Sequence, residues 1–374
     1  MNILYLANTS PLAQHFMRGW RNAFLALDDS FTVLAPEGEE FAAAIRDNVY
    51  DLILTASGEG ARRLPVEELN AKGTALVVNG LPFNDWGLSC EIQAPCADAD
   101  EVRHIARFQR KLAWSQWSPE LVESFYSGYT SLGIPVLALP YAGDITVAPE
   151  TVRDMADVKE SLIFIGNLKH RRRGNLSLLK RLMTLAPRQS IRLHGGKDWQ
   201  RFLGIEAEPT PPGMNTGKLY RQALIAPNIH TLRQRSHRIQ VNDRSFHIPA
   251  CGGFQICDNP MIRDYFDASE VVLAESENEF VEMTTHFLRN PDATLPFLHK
   301  ASHKIRQEHS YFNRIAALYK ALDIHKEVRI GAQSWQPFTY PSSRVVQKIG
   351  FERWVRYALE TRFMRAARAV KQWL

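Results

Sequence analysis

Val241-Asn242-Asp243-Arg244-Ser245-Phe246-His247-Ile248-Pro249-Ala250-Cys251-Gly252-Gly253-Phe254 is the stretch on which the fold turns. It reads as a loop, a short helix and a glycine pair that opens an apolar strand, Phe254-Gln255-Ile256-Cys257. Asn242, Arg244 and His247 are two and three residues apart, so the start of one helix can bring them to one ligand. Asp258-Asn259-Pro260 then turns the chain back.

Upstream and downstream, apolar strand-like runs alternate with helical patterns, the signature of βα units and a parallel sheet. In this half the strands are Leu162–Ile165, Ile191–His194, Leu224–Asn228, Gly253–Cys257 and Val271–Ala274. Helices are predicted at Leu176–Leu185, Lys218–Ala223, Met261–Phe266 and Glu279–Leu288. The first half repeats the pattern, with strands at Ile3–Ala7, Phe31–Leu34, Leu52–Thr55, Ala75–Asn79, Leu112–Trp114 and Val136–Leu139. His15–Leu27 and Pro119–Leu132 lie between them as helices. Near-continuous apolar strands suit sheets covered on both faces. The stretch from Pro140 to Lys159, with its prolines and charges, reads as an interdomain connection. The fold class is therefore α/β, with two doubly wound Rossmann-like domains facing a central cleft where a ligand is expected.

Two strand ends in the second half carry further signals. Leu162-Ile163-Phe164-Ile165-Gly166-Asn167 is followed by His170-Arg171-Arg172-Arg173-Gly174, an arginine cluster ahead of a helix starting near Asn175. Arginine forks and helix N-termini both suit phosphate oxygens, although a basic loop can also be simply solvated. The next strand ends in Leu193-His194-Gly195-Gly196-Lys197-Asp198-Trp199, where glycines let a ligand approach the backbone, or merely mark a turn.

Taken in order, these segments resemble the spore-maturation-protein type of GT-B-fold glycosyltransferases, a branch of the "glycosyl transferases group 1" set. That family carries Asn-x-Arg-x-Phe-Glu, then Ala-Cys-Gly and an apolar strand ending in Asp. The matching residues here are Asn242, Arg244, Phe246, His247, Ala250, Cys251, Gly252 and Asp258. Gly166 and Asn167 with Arg172 and Arg173, Leu193-His194-Gly195 with Trp199, Asn228, and His309-Ser310-Tyr311 with Arg314 are similar to other family segments. The resemblance covers about residues 161–320. It implies a GT-B fold and a nucleotide-diphosphate sugar as co-substrate, with no other cofactor. The implied donor-binding residues are Gly166, Asn167, Arg171, Arg172, Arg173, Gly195, Asn228, Asn242, Arg244, His247, Gly252 and Gly253. The chain departs from the pattern at His247, where the family has a glutamate that holds the donor ribose. Histidine can also bond a hydroxyl, but unlike a carboxylate it is not acceptor-only.

The composition is that of an ordinary globular protein: 374 residues, 45% hydrophobic and 23% charged, enough for two cores. No apolar run is long enough to cross a bilayer, and the first residues read as a strand rather than a secretory signal, so a cytoplasmic protein is expected. Cys90, Cys96, Cys251 and Cys257 lack zinc or redox spacing and read as isolated thiols. No Asp-x-Asp motif occurs, so metal-independent transfer is expected.

The net charge of +5 is uneven. Residues 344–374 hold eight Lys/Arg and two Glu, leaving the rest nearly neutral, which argues against a nucleic-acid partner. Val355, Leu359, Phe363, Ala366, Val370 and Trp373 fall on one face of a helix in this tail. It suits an anionic membrane surface, and equally a terminal helix packed on the first domain.

For catalysis, an inverting transfer needs a base within reach of the acceptor hydroxyl. His15, one turn into the first helix, and Asp85, in the loop after the fourth strand, are the candidates. The domains are expected at 1–150 for the acceptor, 151–325 for the nucleotide sugar, and 326–374 for the basic segment. The acceptor is expected to be a glycan, lipid-linked or protein hydroxyl. An inactive GT-B nucleotide-binding module and a nucleotide-sugar epimerase are the alternatives.

Overall fold

The computed structural model describes residues 1–7, 11–56, 58–83, 97–148, 152–166, 175–196, 198–210, 214–231, 234–235 and 240–340. By contacts, these residues form two compact units. One is Met1–Pro140 with Leu318–Lys326, and the other is Tyr141–Ala317 with Glu327–Tyr340.

The first unit is built on strands β1 (Asn2–Leu6), β2 (Ser30–Leu34), β3 (Leu52–Thr55), β4 (Ala75–Asn79), β5 (Arg110–Ser115) and β6 (Val136–Ala138). All pair in parallel, in the order β2-β1-β3-β4-β5-β6. Helices connect them: α1 (Pro11–Ala26), α2 (Gly38–Asp47), α3 (Gly58–Ala61), α4 (Val66–Ala71), α5 (Ala99–Ala106), α6 (Pro119–Phe125) and α7 (Ser127–Ser131). Ile3, Leu4, Leu52, Ile53, Leu76 and Val77 are fully buried, as expected of strands with helices on both faces. The returning segment 318–326 joins this unit through Asp29, which pairs with Lys326 and accepts a 3.4 Å bond from Tyr319 Oη.

The second unit holds β7 (Glu160–Ile165), β8 (Ile191–His194), β9 (Ala223–Asn228), β10 (Gln255–Cys257) and β11 (Val272–Leu273) in the parallel order β11-β10-β9-β7-β8. Its helices are α8 (Leu176–Leu182), α9 (Asp198–Leu203), α10 (Met214–Gln222), α11 (Arg244–Ala250), α12 (Glu277–Arg289), α13 (Leu295–Glu308) and α14 (Tyr311–Ala321), the last of which continues into the first unit. Both sheets are wound alike. The second strand lies on one side of the first and the third on the other, so the winding reverses beside β1 and beside β7. Such reversal points open a crevice beyond the carboxyl ends of the strands.

The first unit closes at Pro140, and the connection expected up to Lys159 packs within the second unit instead. Gly143 N donates to His309 O at 2.9 Å, and Tyr311 N donates to Gly143 O at 3.3 Å. Arg153 is buried and donates to Ala223 O and, at 2.8 Å, to Leu224 O. A segment whose backbone and side chains find these partners is part of a core edge rather than a free linker. The stretch His309-Ser310-Tyr311 with Arg314 supplies the other half of this contact. Arg314 Nη2 donates to Tyr141 O at 2.8 Å, and its guanidinium lies 4.2 Å from the Phe338 ring centre. Phe338 and Tyr340 therefore belong to the second unit. The amphipathic tail at 344–374 lies outside the described residues. No helix among the described residues is long and apolar enough to cross a membrane.

His309 is enclosed by Phe246, Tyr265, Phe266 and Phe338, and its Nε2 donates to Tyr265 O at 3.0 Å. Its Nδ1 is buried without a partner. Burial, and then the charge of Arg314, hold its pKa well below the usual 6.5. A histidine depressed in the folded state stabilises the fold above its unfolded pKa, and that stability is lost as the pH falls below it. The unfolding midpoint should thus drop more between pH 7 and pH 5 in the wild type than in His309→Gln. Parallel pH profiles for the two proteins would contradict this.

Candidate functional site at the second sheet

The site grows from the reversal point between β7 and β9. Arg244, in the first turn of α11, is buried. Its Nη1 donates to Ile165 O at 2.9 Å and its Nη2 to Ile229 O at 2.8 Å. The guanidinium thus fills the gap between two diverging strand ends, over the face of Phe164 at 5.5 Å. Sequence reasoning placed Arg244 among the donor-binding residues, and the structure commits two of its donors to backbone carbonyls.

Around it lies a buried polar network. Asn228 Nδ2 donates to Ser245 Oγ at 2.9 Å and to Gln255 Oε1 at 2.8 Å. Gln255 Nε2 in turn donates to Ser245 O at 2.9 Å. That carbonyl is the one a helical N–H at position 249 would satisfy, and Pro249 has none. The glutamine of β10 replaces the missing helix bond.

A second arm runs through His230. Its Nε2 accepts from Asn242 N at 3.0 Å, so the ring proton sits on Nδ1, 2.8 Å from Asp258 Oδ1. Asp258 Oδ2 lies 3.4 Å from Arg235 Nη1, and Arg235 Nη2 donates to Asn175 Oδ1 at 2.9 Å. Asn175 Nδ2 closes the loop on His230 O. Asn242 Oδ1 accepts from Ser245 N at 3.3 Å and so steadies the start of α11, while Asn242 Nδ2 is buried with no partner. Asn228 Oδ1 is likewise buried and bare. Unmade buried bonds of this kind are rare, and each calls for a partner such as a ligand, a water or an ion.

The other predicted donor residues divide. His247 Nε2 sits 3.0 Å from Thr216 Oγ1 of α10, and its ring meets Tyr220 edge-on at 5.8 Å. The imidazole therefore has a protein partner where the family pattern has a ribose-holding glutamate. Gly252 and Gly253 do not join the group. They end α11, with Gly252 at φ +74°, and lie about 10 Å along the helix from its first turn. A Cβ at Gly253 would come within 3.1 Å of Ile248 O and Tyr220 Cβ, so packing accounts for that glycine. Gly195, at φ +151°, serves a corner: a Cβ there would fall 2.1 Å from Gly166 O, which also accepts from Trp199 Nε1 at 2.9 Å. Gly166 and Gly195 thus press β7 and β8 together at the same edge.

Asn167, Arg171, Arg172, Arg173 and Asp85 lie outside the described residues, as do Cys90 and Cys96. His15 lies in α1, with its side chain also outside them. Cys251 and Cys257 are buried free thiols, the first pushed up to about 12 by burial. Sequence reasoning missed His230, Arg235 and Asn175. It named His194 within a family segment without giving it a role; its Nδ1 sits 3.2 Å from Pro209 O while Nε2 is buried and bare. A signal for His230 existed: it stands two residues past the end of β9, as Asp258 stands one past the end of the adjacent β10. Among the described residues no cluster of three or more His, Cys, Asp or Glu could hold a metal ion.

A family model described as "Glycosyl transferase-like" matches residues 171–320, which include most of this network. No curated protein matches the chain. Several solved structures share its fold at low identity. Sucrose-phosphate synthase from Thermosynechococcus elongatus aligns with a TM-score of 0.57 at 12% identity, over 87% of this chain and 100% of that one. An alpha-glucosyltransferase in complex with UDP and a 13-mer DNA containing a HMU base aligns at 0.58 and 9% identity, over 86% and 98%. Anabaena HepE in complex with UDP aligns at 0.55 and 11%, over 86% and 100%. The chain therefore has a GT-B fold of two parallel-sheet Rossmann-like domains, and its residues 171–320 are similar to a glycosyl transferase-like family.

Proposed function

We propose that the protein is a glycosyltransferase whose donor is a nucleoside-diphosphate sugar, bound at the carboxyl edge of the second sheet. The observation that carries this is the bare Asn242 Nδ2 at the start of α11, beside the reversal point, inside the segment that matches the glycosyl transferase-like family. The amide is a neutral donor already oriented by its own Oδ1, so it can meet a diphosphate oxygen once the atoms that cover it move aside. Complexes of two structurally similar proteins with UDP favour a uridine nucleotide.

In the reaction an acceptor hydroxyl attacks the anomeric carbon and gives up its proton to a base, for which His15 and Asp85 are the candidates, while the bond from that carbon to the diphosphate breaks and the diphosphate leaves with the electron pair. The arginine run 171–173 supplies positive charge for that leaving group without a metal ion. The acceptor is a hydroxyl of a glycan, a lipid-linked precursor or a protein.

Of UDP, GDP, TDP and CMP, UDP should raise the melting temperature most, through linkage. Asn242→Asp keeps the oxygen that caps α11 and replaces the free donor with a carboxylate oxygen. It should weaken UDP binding about 10- to 100-fold, the equivalent of one charge-assisted hydrogen bond. A wild type that no nucleotide stabilises, or an Asn242→Asp variant that binds as tightly, would contradict the proposal.

A further inference from the structure

The first unit holds a second pair of unsatisfied buried groups that the donor reading does not use. Glu101, in the first turn of α5, is only 6% exposed, and its Oε1 has no hydrogen-bond partner. Tyr129 on α7 is fully buried, and its Oη has none either. Both sit at the carboxyl edge of the first sheet. A Cβ on Gly58, just past β3, would fall 1.5 Å from Glu101 Oε1, so only a glycine leaves room for the carboxyl. A Cβ on Gly80, just past β4, would fall 3.2 Å from Tyr129 Oη. Neighbouring strand ends are thus cleared, one by each glycine, around two oxygens that bond nothing.

The neighbours sharpen the case. Tyr126, the other phenol of this corner, is fully satisfied: its Oη reaches Gly80 O at 3.0 Å and Ser115 Oγ at 2.8 Å. The strand ends are therefore capable of pairing buried hydroxyls, and Tyr129 and Glu101 stand out against them. Leaving a buried polar group unpaired costs about 1–3 kcal/mol, so two together mark a place where something polar completes the set.

We infer that Glu101 and Tyr129 form a hydroxyl-binding subsite on the first unit, and that its ligand is a carbohydrate hydroxyl of the acceptor. A sugar hydroxyl both donates and accepts, which matches a carboxylate oxygen that accepts and a phenol that donates. The inference rests on the glycosyltransferase reading for the word acceptor, but the subsite itself lies wholly within one unit. Both oxygens are covered in this arrangement, so entry of a ligand requires neighbouring side chains to move. Burial raises the Glu101 carboxyl to about 6, with Asp98 and Glu59 adding to the rise and Arg62 opposing it. Burial, and then the charge of Glu101, raise the Tyr129 phenol above its usual value. A hydroxyl donated to the ionised carboxylate is bound more strongly as the pH rises through about 6.

The test uses saturation-transfer NMR on the full chain with glucose, galactose, mannose and N-acetylglucosamine, in the presence of saturating UDP. At least one sugar should give a signal with the wild type that strengthens between pH 5 and pH 7. Glu101→Gln, an isostere of the protonated carboxyl, and Tyr129→Phe should each weaken that binding by about tenfold or more, a tenfold loss being 1.4 kcal/mol. Both variants should keep wild-type UDP affinity, which separates this subsite from the donor site. If UDP fails to bind, the donor reading fails while the sugar arm is still read. Absence of any sugar signal with the wild type would overturn the inference. So would signals unchanged in both variants, which would mark the pair as holding a buried water only.

Discussion

Two parallel strands that diverge at a reversal point leave carbonyl groups with no neighbouring strand to donate to them. In the second unit the Arg244 guanidinium answers both, bonding Ile165 O on one side of the gap and Ile229 O on the other. Much else follows from that placement. Because Arg244 begins α11, the helix is anchored at the edge of the sheet, and Asn242 just ahead of it is held beside the crevice. Because α11 is then buried along its length, its proline must be compensated from outside the helix, and Gln255 on β10 does so. The helix is therefore attached to β7, β9 and β10 by side-chain bonds rather than by apolar packing alone.

The His230–Asp258 pair extends the same logic. A buried carboxylate is costly unless its oxygens are bonded, and Asp258 has the His230 ring and backbone on one oxygen and the Arg235 charge near the other. The reward is orientation. His230 accepts the Asn242 amide, which fixes the backbone entering α11, and the Asn242 side chain caps Ser245 with one atom while its other atom stays free. An amide held this way keeps its orientation, so less side-chain freedom is lost when a partner reaches it.

How much of this was legible in the sequence depends on chain distance. The strands were, because runs such as Leu52–Thr55 and Ala75–Asn79 are apolar on both faces and Ile191–His194 alternates apolar with polar residues, and the structure gives these three the same bounds. The short helix after Asn242 was legible for its spacing and its closing glycines. The network was not, since Asn175, His230, Arg235 and Asp258 meet only once the sheet has formed. The structural part of Gly252 and Gly253 was not legible, because a glycine pair reads alike whether it lets a ligand approach or ends a helix. Only the φ of +74° and the packing under Tyr220 tell the two apart. The segment from Pro140 misled for a similar reason: prolines and charges suggest a linker, but Arg153 and Arg314 fasten it to the second unit. Glu101 gave no sequence signal, because a glutamate in the first turn of a helix is ordinary, and its burial is a property of the packing around Gly58.

The central claim is that a nucleotide docks where Asn242 meets the reversal point of the second sheet. Hydrogen–deuterium exchange with and without UDP tests it most directly. The account predicts slowed exchange confined to peptides covering residues 165–166, 228–231 and 241–247, with the Gly252-Gly253 end of the helix unchanged. Protection at that far end, or none at the strand edge despite saturating UDP, would contradict it.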